Sequence, residues 1–398
     1  MKIMIVDDEP FVLKLLARQL ANLGYAQVSL HESAEDALSI LTQAPGEFEL
    51  VFCDLQMPGM DGVEFVRQLG AIGYRGSIAL VSGEDKRILQ TAERLAQAHK
   101  LDVLGILQKP VSPELLRQLM DRKASHVAAP ARSAPKRYPA DELQRAIANG
   151  ELLNHYQPKV ELATCKFAGV EALVRWQHAR DGTVFPDQFI ATAEEHGLID
   201  DLTRAVLGNA LREVREWQDA GVHVHVSVNV SMDNLADVTF PDLVVRAASD
   251  AGVALSSLML EVTESRLMTD QRGPLDNLTR LRLKRVGLSI DDFGTGHSSL
   301  AQLRDIPFDE LKMDRSFVHG AGRDTSLGAI IEASHSMARH LGMSTVAEGV
   351  EDRDDWDYLL ASGCALAQGY FIGKPMPAGA LGNWIRNWEE RRGEFLPH

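Results

Sequence analysis

The sequence predicts an α/β chain in two parts, a parallel sheet flanked by helices and then a TIM-like (β/α)8 barrel. Three observations lead there. Short apolar runs alternate with amphipathic stretches almost from end to end, the rhythm of parallel strands joined by crossover helices. A single Ala-, Pro- and Ser-rich stretch, residues 123–139, interrupts that rhythm. Beyond it, nearly every candidate strand ends in a polar residue, as expected where strand C-termini converge on one barrel mouth.

In the first part, expected to span residues 1–122, the apolar runs are KIMIV, ELVFC, SIALVS and LGILQKP, separated by helical-period sequence such as residues 11–23. The interrupting stretch, KASHVAAPARSAPKRYP, carries four Lys or Arg and no acidic residue, and reads as a solvated linker. From residue 140 to 395 the rhythm resumes over about 255 residues, the usual size of a (β/α)8 barrel. Its candidate strands are FAGVEALV, HVSVNVS, LMLEVTE, LSIDDF, ELKMD, STVAEGV and ALAQGYF. They place Glu171, Asn229, Glu261, Asp291, Lys312, Glu348 and Gln368 at strand ends, a set that solvated surface does not explain.

Composition narrows the function. A formal net charge of −15 argues against a nucleic-acid coat, and the chain has neither a basic recognition helix nor room for one, so no direct DNA binding is expected. An acidic chain can still take an anionic substrate if metal ions invert the local charge. Apolar runs fall short of the roughly 18 residues a membrane span needs, and the N-terminus turns acidic too soon for a secretion signal. Cys53, Cys165 and Cys364 are far apart and in no metal-ligand spacing, which fits a reducing, cytoplasmic setting.

Asp7 and Asp8 follow the first apolar run, and Asp54 closes another within VFCDLQMPGMDG. Three carboxylates at adjacent strand ends repel one another and call for a divalent cation, Mg²⁺ by preference for oxygen ligands. Ser82 and Lys109, closing two more runs, supply a hydroxyl and an ammonium suited to a phosphoryl group on Asp54. Over residues 1–122 this pattern resembles the receiver domain of two-component response regulators, with a doubly wound, flavodoxin-like fold. The resemblance implies phosphorylation of Asp54 by a cognate histidine kinase, one Mg²⁺ held by Asp7, Asp8 and Asp54, Ser82 and Lys109 as switch residues, and a cis bond before Pro110. Receivers usually carry Tyr or Phe three residues before the Lys; here that position is Ile106, so the aromatic-rotamer part of the switch lacks its residue.

In the second part, Glu171, Asn229, Glu261 and Asp291 offer three carboxylates and an amide carbonyl, hard ligands for Mg²⁺ or Mn²⁺. The neighbouring Asp291 and Asp292 can bridge one ion and reach a second, and Glu348 is a further ligand. A two-metal site of this kind, with ions roughly 3.5–4 Å apart, supports in-line attack of water at phosphorus. Lys312, the one cation of the set, can orient that water or neutralise developing charge. Taken singly, a strand-end carboxylate is more often a helix cap, and Asp292 or Glu264 could serve so. A mouth with this many carboxylates and no cation is electrostatically unfavourable, so the set points to metal-assisted hydrolysis of a phosphate ester.

The segment EALVRW (171–176) resembles the signature of EAL-domain cyclic di-GMP phosphodiesterases. YQPKV, VNVS, LEVTES, DDFGTGHSSL, LKMDRSF, AEGVE and QGYFIGKPMP follow the same family pattern, over about residues 140–395. The resemblance implies hydrolysis of cyclic di-GMP to linear pGpG with two Mg²⁺ or Mn²⁺ ions. Glu171, Asn229, Glu261 and Asp291 would bind the first, and Asp291, Asp292 and Glu348 the second. Glu171, Lys312, Glu348 and Asp292 are the catalytic candidates, with Lys312 assisting the water and Asp314 supporting it. Gln157, Gln368 and Arg175, expected one helical turn beyond Glu171, would line the substrate site. Glu264 would steady the DDFGTG loop, hinged at Gly294 and Gly296, in which His297 replaces the common Tyr. The alternative is a catalytically silent effector that binds the dinucleotide; in either case a homo-oligomer is expected.

Overall fold

The computed structural model describes residues 1–44, 46–83, 86–99, 101–128, 136–263, 272–294 and 300–396. Glu264, Gly296 and His297 lie outside them. The chain divides into two compact units, Met1–Ala134 and Pro135–His398.

The first unit is a five-stranded parallel sheet in the order β2-β1-β3-β4-β5, formed by β1 (Ile3–Val6), β2 (Val28–His31), β3 (Leu50–Asp54), β4 (Ser77–Ser82) and β5 (Asp102–Gln108). β1, β3 and β4 are buried throughout, which explains why they read as continuous apolar runs. Alternation sends Ile3 and Ile5 to one face, with Leu13, Leu16 and Leu20 of the first helix and Leu116 and Leu119 of the last. Met4 and Val6 face the other side, with Ala37, Phe65, Leu69 and Leu89 of the three helices between. This is the doubly wound arrangement expected. Helix Gly62–Ala71 is capped by Asp61, whose carboxylate accepts the Glu64 N–H at 2.8 Å. It must begin with glycine, since a Cβ at Gly62 would come within 2.1 Å of the Asp54 carbonyl oxygen. The last helix, Pro113–Ala128, runs past residue 122.

The second unit is an eight-stranded closed barrel of β6 (Leu152–Glu161), β7 (Phe167–His178), β9 (Val226–Val230), β10 (Leu258–Thr263), β11 (Gly287–Phe293), β12 (Glu310–Met313), β13 (Ser344–Ala347) and β14 (Leu366–Gln368). Short β8 (Gly182–Val184) extends β7, and β15 (Met376–Pro377) pairs with β6. β7 and β9 to β14 are parallel to their neighbours, whereas β6 runs antiparallel to both β7 and β14 and closes the ring. Tyr138 is 3% exposed and packs 4.7 Å from Trp176, so the residues just before 140 belong to this unit. Helices such as Ile199–Asp219 and Thr325–His340 cover the outside with the apolar stripes of their sequences. No helix among the described residues is long and apolar enough to cross a membrane.

Candidate active site

Strand alternation stacks two polar layers inside the barrel. β9, β11 and β12 each contribute a pair two residues apart: Ser227 and Asn229, Ser289 and Asp291, Glu310 and Lys312. Because β6 runs the other way, Gln157 lies at the mouth and Lys159 one layer below.

Lys312 is the hub of the upper layer. Its Nζ lies 2.6 Å from Glu348, 2.7 Å from Glu261, 3.1 Å from Asp291 and 3.5 Å from Glu171. Burial opposes its charge, but these four carboxylates outweigh it and hold the ammonium well above its ordinary pKa. Asn229 donates to Glu171 Oε1 at 2.9 Å, and Gln368 donates to Glu171 Oε2 at 2.6 Å and to Gln157 Oε1 at 3.1 Å. Gln157 in turn donates to the Gly373 carbonyl at 3.1 Å.

The acids respond differently to this crowding. Burial raises the carboxyls of Glu171 and Asp291 against the pull of Lys312, and pushes Glu348 up to about 8. Glu261, though fully buried, goes down to about 2, because the cations Lys312 and Lys159 outweigh desolvation.

Two consecutive strand residues normally face opposite sides. Here the pairing of β11 with β12 shifts register between Ile290 and Phe293, and Asp292 takes a left-handed φ of 56°. That distortion brings Asp291, Asp292 and Glu348 together, each offering an oxygen within 4.8 Å of the others. The mouth thus sets four carboxylates, those of Glu171, Glu261, Asp291 and Glu348, around one ammonium, with Asp292 beside Asp291 and Glu348. Gln368 Oε1 is buried there without a hydrogen-bond partner. An excess of carboxylate and amide oxygens fits Mg²⁺ or Mn²⁺. Outward, Asp314, Arg315, Glu351 and Tyr370 line a cavity of about 270 Å³ over Glu171 and Asp291.

Several placements differ from the sequence expectation. Glu171 is inside β7 rather than at its end, because β7 continues as a hairpin strand against β6 and β8. Arg175 lies farther along the same strand and not on a helix; it is 8% exposed, donates to the Val174 carbonyl at 2.8 Å and sits 4.9 Å from the Phe185 ring centroid. Asp314 caps the short helix Arg315–Val318 by accepting the Ser316 N–H at 2.9 Å. Sequence reading missed Lys159 and Glu310. Their signal was present, since each stands two residues from a singled-out mouth residue on the same strand.

In the first unit, Asp7, Asp8 and Asp54 have carboxylate oxygens within 4.8 Å of one another. Lys109 reaches Asp54 at 2.8 Å, Asp7 at 2.9 Å and Glu9 at 3.2 Å. Burial raises the Asp7 carboxyl, and Asp54 Oδ1 is buried without a hydrogen-bond partner, so these acids also fit a divalent cation. Ser82 is fully buried at the end of β4, and the Lys109–Pro110 bond is cis. Ile106 packs half-buried against the apolar core on one face of the sheet.

Residues 140–375 match the EAL domain family, which takes in more than half of the chain. The chain belongs to the EAL domain family. Residues 3–121 match the response regulator receiver domain. The EAL protein "Cyclic di-GMP phosphodiesterase RocR" of Pseudomonas aeruginosa is 32% identical over 379 residues, covering 95% of this chain and 96% of that protein. "Cyclic di-GMP phosphodiesterase NbdA" of the same organism is 43% identical over 249 residues, 62% of this chain and 32% of that protein. This chain therefore spans nearly all of RocR but about a third of NbdA. Among solved structures, "PaMucR Phosphodiesterase, c-di-GMP complex" is similar with a TM-score of 0.58 and 40% identity, covering 61% of this chain and 98% of that one. The FimX EAL domain of Xanthomonas citri, in complex with c-diGMP, is similar with a TM-score of 0.56 and 26% identity, covering 60% of this chain and 92% of that one.

Proposed function

We propose that this chain is a metal-dependent cyclic di-GMP phosphodiesterase whose activity answers to phosphorylation of Asp54. The observation that carries the reading is Lys312, 1% exposed and within 3.5 Å of Glu171, Glu261, Asp291 and Glu348. Glu171, Asn229, Glu261 and Asp291 would hold one Mg²⁺ or Mn²⁺, and Asp291, Asp292 and Glu348 a second. When bound, the ions supply an activated water and neutralise charge on the phosphodiester.

The chain's own groups do the rest. Attack of water at phosphorus in line with the 3′-oxygen breaks the P–O3′ bond and leaves linear pGpG with a 5′-phosphate. Lys312 orients the attacking water and offsets the charge that gathers on the equatorial oxygens. Arg175, held against Phe185, would contact a substrate phosphate. Gln368, itself bonded to Gln157, holds one oxygen of the Glu171 carboxylate and Asn229 holds the other, which restrains its orientation. The intact acid set speaks against the silent-effector reading.

The first unit would be the switch, with one Mg²⁺ on Asp7, Asp8 and Asp54, and a cognate histidine kinase as phosphoryl source in the cytoplasm. The chain between helix Pro113–Ala128 and Tyr138 would tether it to the hydrolase, in a homo-oligomer. Purified chain with Mg²⁺ and cyclic di-GMP is expected to yield pGpG by chromatography, and Glu171→Ala or Lys312→Ala to yield none. Undiminished turnover in both variants would sink the assignment.

A further inference from the structure

Below the mouth lies a polar layer that the proposed reaction leaves unused. Lys159 is 5% exposed, and its Nζ stands 2.6 Å from Ser227 Oγ and 3.3 Å from both Glu261 Oε1 and Glu310 Oε1. Ser289 donates to Glu310 Oε1 at 3.1 Å. Four barrel strands, β6, β9, β10 and β12, are thereby tied through one ammonium, and β11 joins them through Glu310. Glu261, with no exposed surface, is divided between two lysines: Oε1 faces Lys159, and Oε2 faces Lys312 at 2.7 Å.

We propose that Lys159 is a positioning residue for the metal centre, clamping Glu261 by one oxygen from below so that the other is presented upward to the mouth. The proposal rests on the reading of Glu261 as a metal ligand. A buried ion pair is rarely kept for stability, because well-packed apolar residues serve as well or better. Nor does Lys159 touch the cavity over Glu171. What it does contact is the most enclosed acid of the set, at the oxygen that Lys312 does not take.

Two roles for Lys159 make opposite demands. If it acted only as a cation, it would repel an incoming divalent ion, and its loss would tighten metal binding. If it positions Glu261, its loss frees the carboxylate and weakens binding, by the 10–100-fold typical of groups that orient metal ligands.

The test is calorimetric titration of Mn²⁺ into the full chain, with Asp8→Asn present throughout to silence the acids of the first unit. The double variant Lys159→Met/Glu310→Gln removes one positive and one negative charge, so the local net charge is kept while the clamp is lost. Its Mn²⁺ dissociation constant is expected to rise about 10–100-fold, whereas Glu310→Gln alone, with Lys159 still on Glu261, stays near the parent value. Binding by the double variant as tight as the parent's, or tighter, overturns the proposal. Should that variant fail to fold by circular dichroism, Lys159→Leu/Glu310→Leu, which also removes the clamp while keeping the local net charge and fills the layer with apolar side chains, carries the same test: weaker binding supports the clamp, unchanged or tighter binding overturns it. A parent that takes up no Mn²⁺ overturns the metal reading itself, and the clamp with it.

Discussion

Lys312→Met exchanges an ammonium within 3.5 Å of four carboxylates for a thioether of similar length. Packing changes little, so the electrostatic loss dominates. Removing one partner of a buried ion pair costs about 3–5 kcal/mol. At about 2–4 °C per kcal/mol for a unit of this size, metal-free protein is expected to melt roughly 6–20 °C lower. The loss should depend on pH, with a definite sign. Metal-free Glu348 already has a folded pKa of about 8, above its unfolded value of about 4.3. The folded state thus binds more protons, and this group's contribution is full below about 4.3 and lost as pH rises through 8. Without Lys312 the carboxyls rise further, so the deficit is smallest near pH 5 and largest near pH 9. Circular dichroism melts of both proteins in EDTA, at pH 5, 7 and 9, read this directly. A variant that melts with its parent at pH 9 refutes the account of Lys312 as the counter-charge of the mouth.

Glu171→Gln is expected to lower pGpG formation by more than about 100-fold, beyond the range for groups that only orient ligands; a smaller loss by chromatographic assay would remove Glu171 from the centre. Metal uptake at pH 7 should release about one proton per barrel, since Glu348 must give up its proton to bind; calorimetry in two buffers of different ionisation enthalpy checks it, and heat independent of buffer contradicts it. Asp54→Asn should abolish phosphoryl incorporation from a small phosphodonor, read by intact mass, and comparing turnover of the parent with and without a phosphoryl mimic tests whether that site controls the barrel. All three cysteines are buried, and burial pushes Cys364 up to about 11 and Cys53 higher, so a thiol-specific chromogenic reagent should react only after denaturation.

The parallel strands were legible because burial on both faces makes them uniformly apolar, as in SIALVS, where all six residues are buried. β6 was not, because LLNHYQPKVE mixes Pro158 with polar residues whose inward partners belong to distant strands. The same long range hid Lys159: Glu261 and Glu310 are 102 and 151 residues away. Mouth residues were found because each sits at or near the end of a recognisable run. The manner in which Asp291 and Asp292 come to share a side was not, since a register shift and a left-handed φ leave no residue-type signal when the strained residue is Asp. Arg175 was misplaced because a four-residue spacing was read as helical although β7 simply continues.

The reversed strand β6 has a consequence for how the protein is made. It forms an antiparallel hairpin with β7, a local pairing available early in synthesis. Its other edge waits for β14, where Gln368 pairs opposite Lys159 and completes the clasp by donating directly to Glu171 as well as to Gln157. Barrel closure and completion of the mouth are therefore a single event, postponed until the ribosome has released the chain past Gln368. A nascent or truncated barrel lacking that strand leaves Glu171 without one of its holders, so dinucleotide hydrolysis should first appear only in chains that have closed the ring.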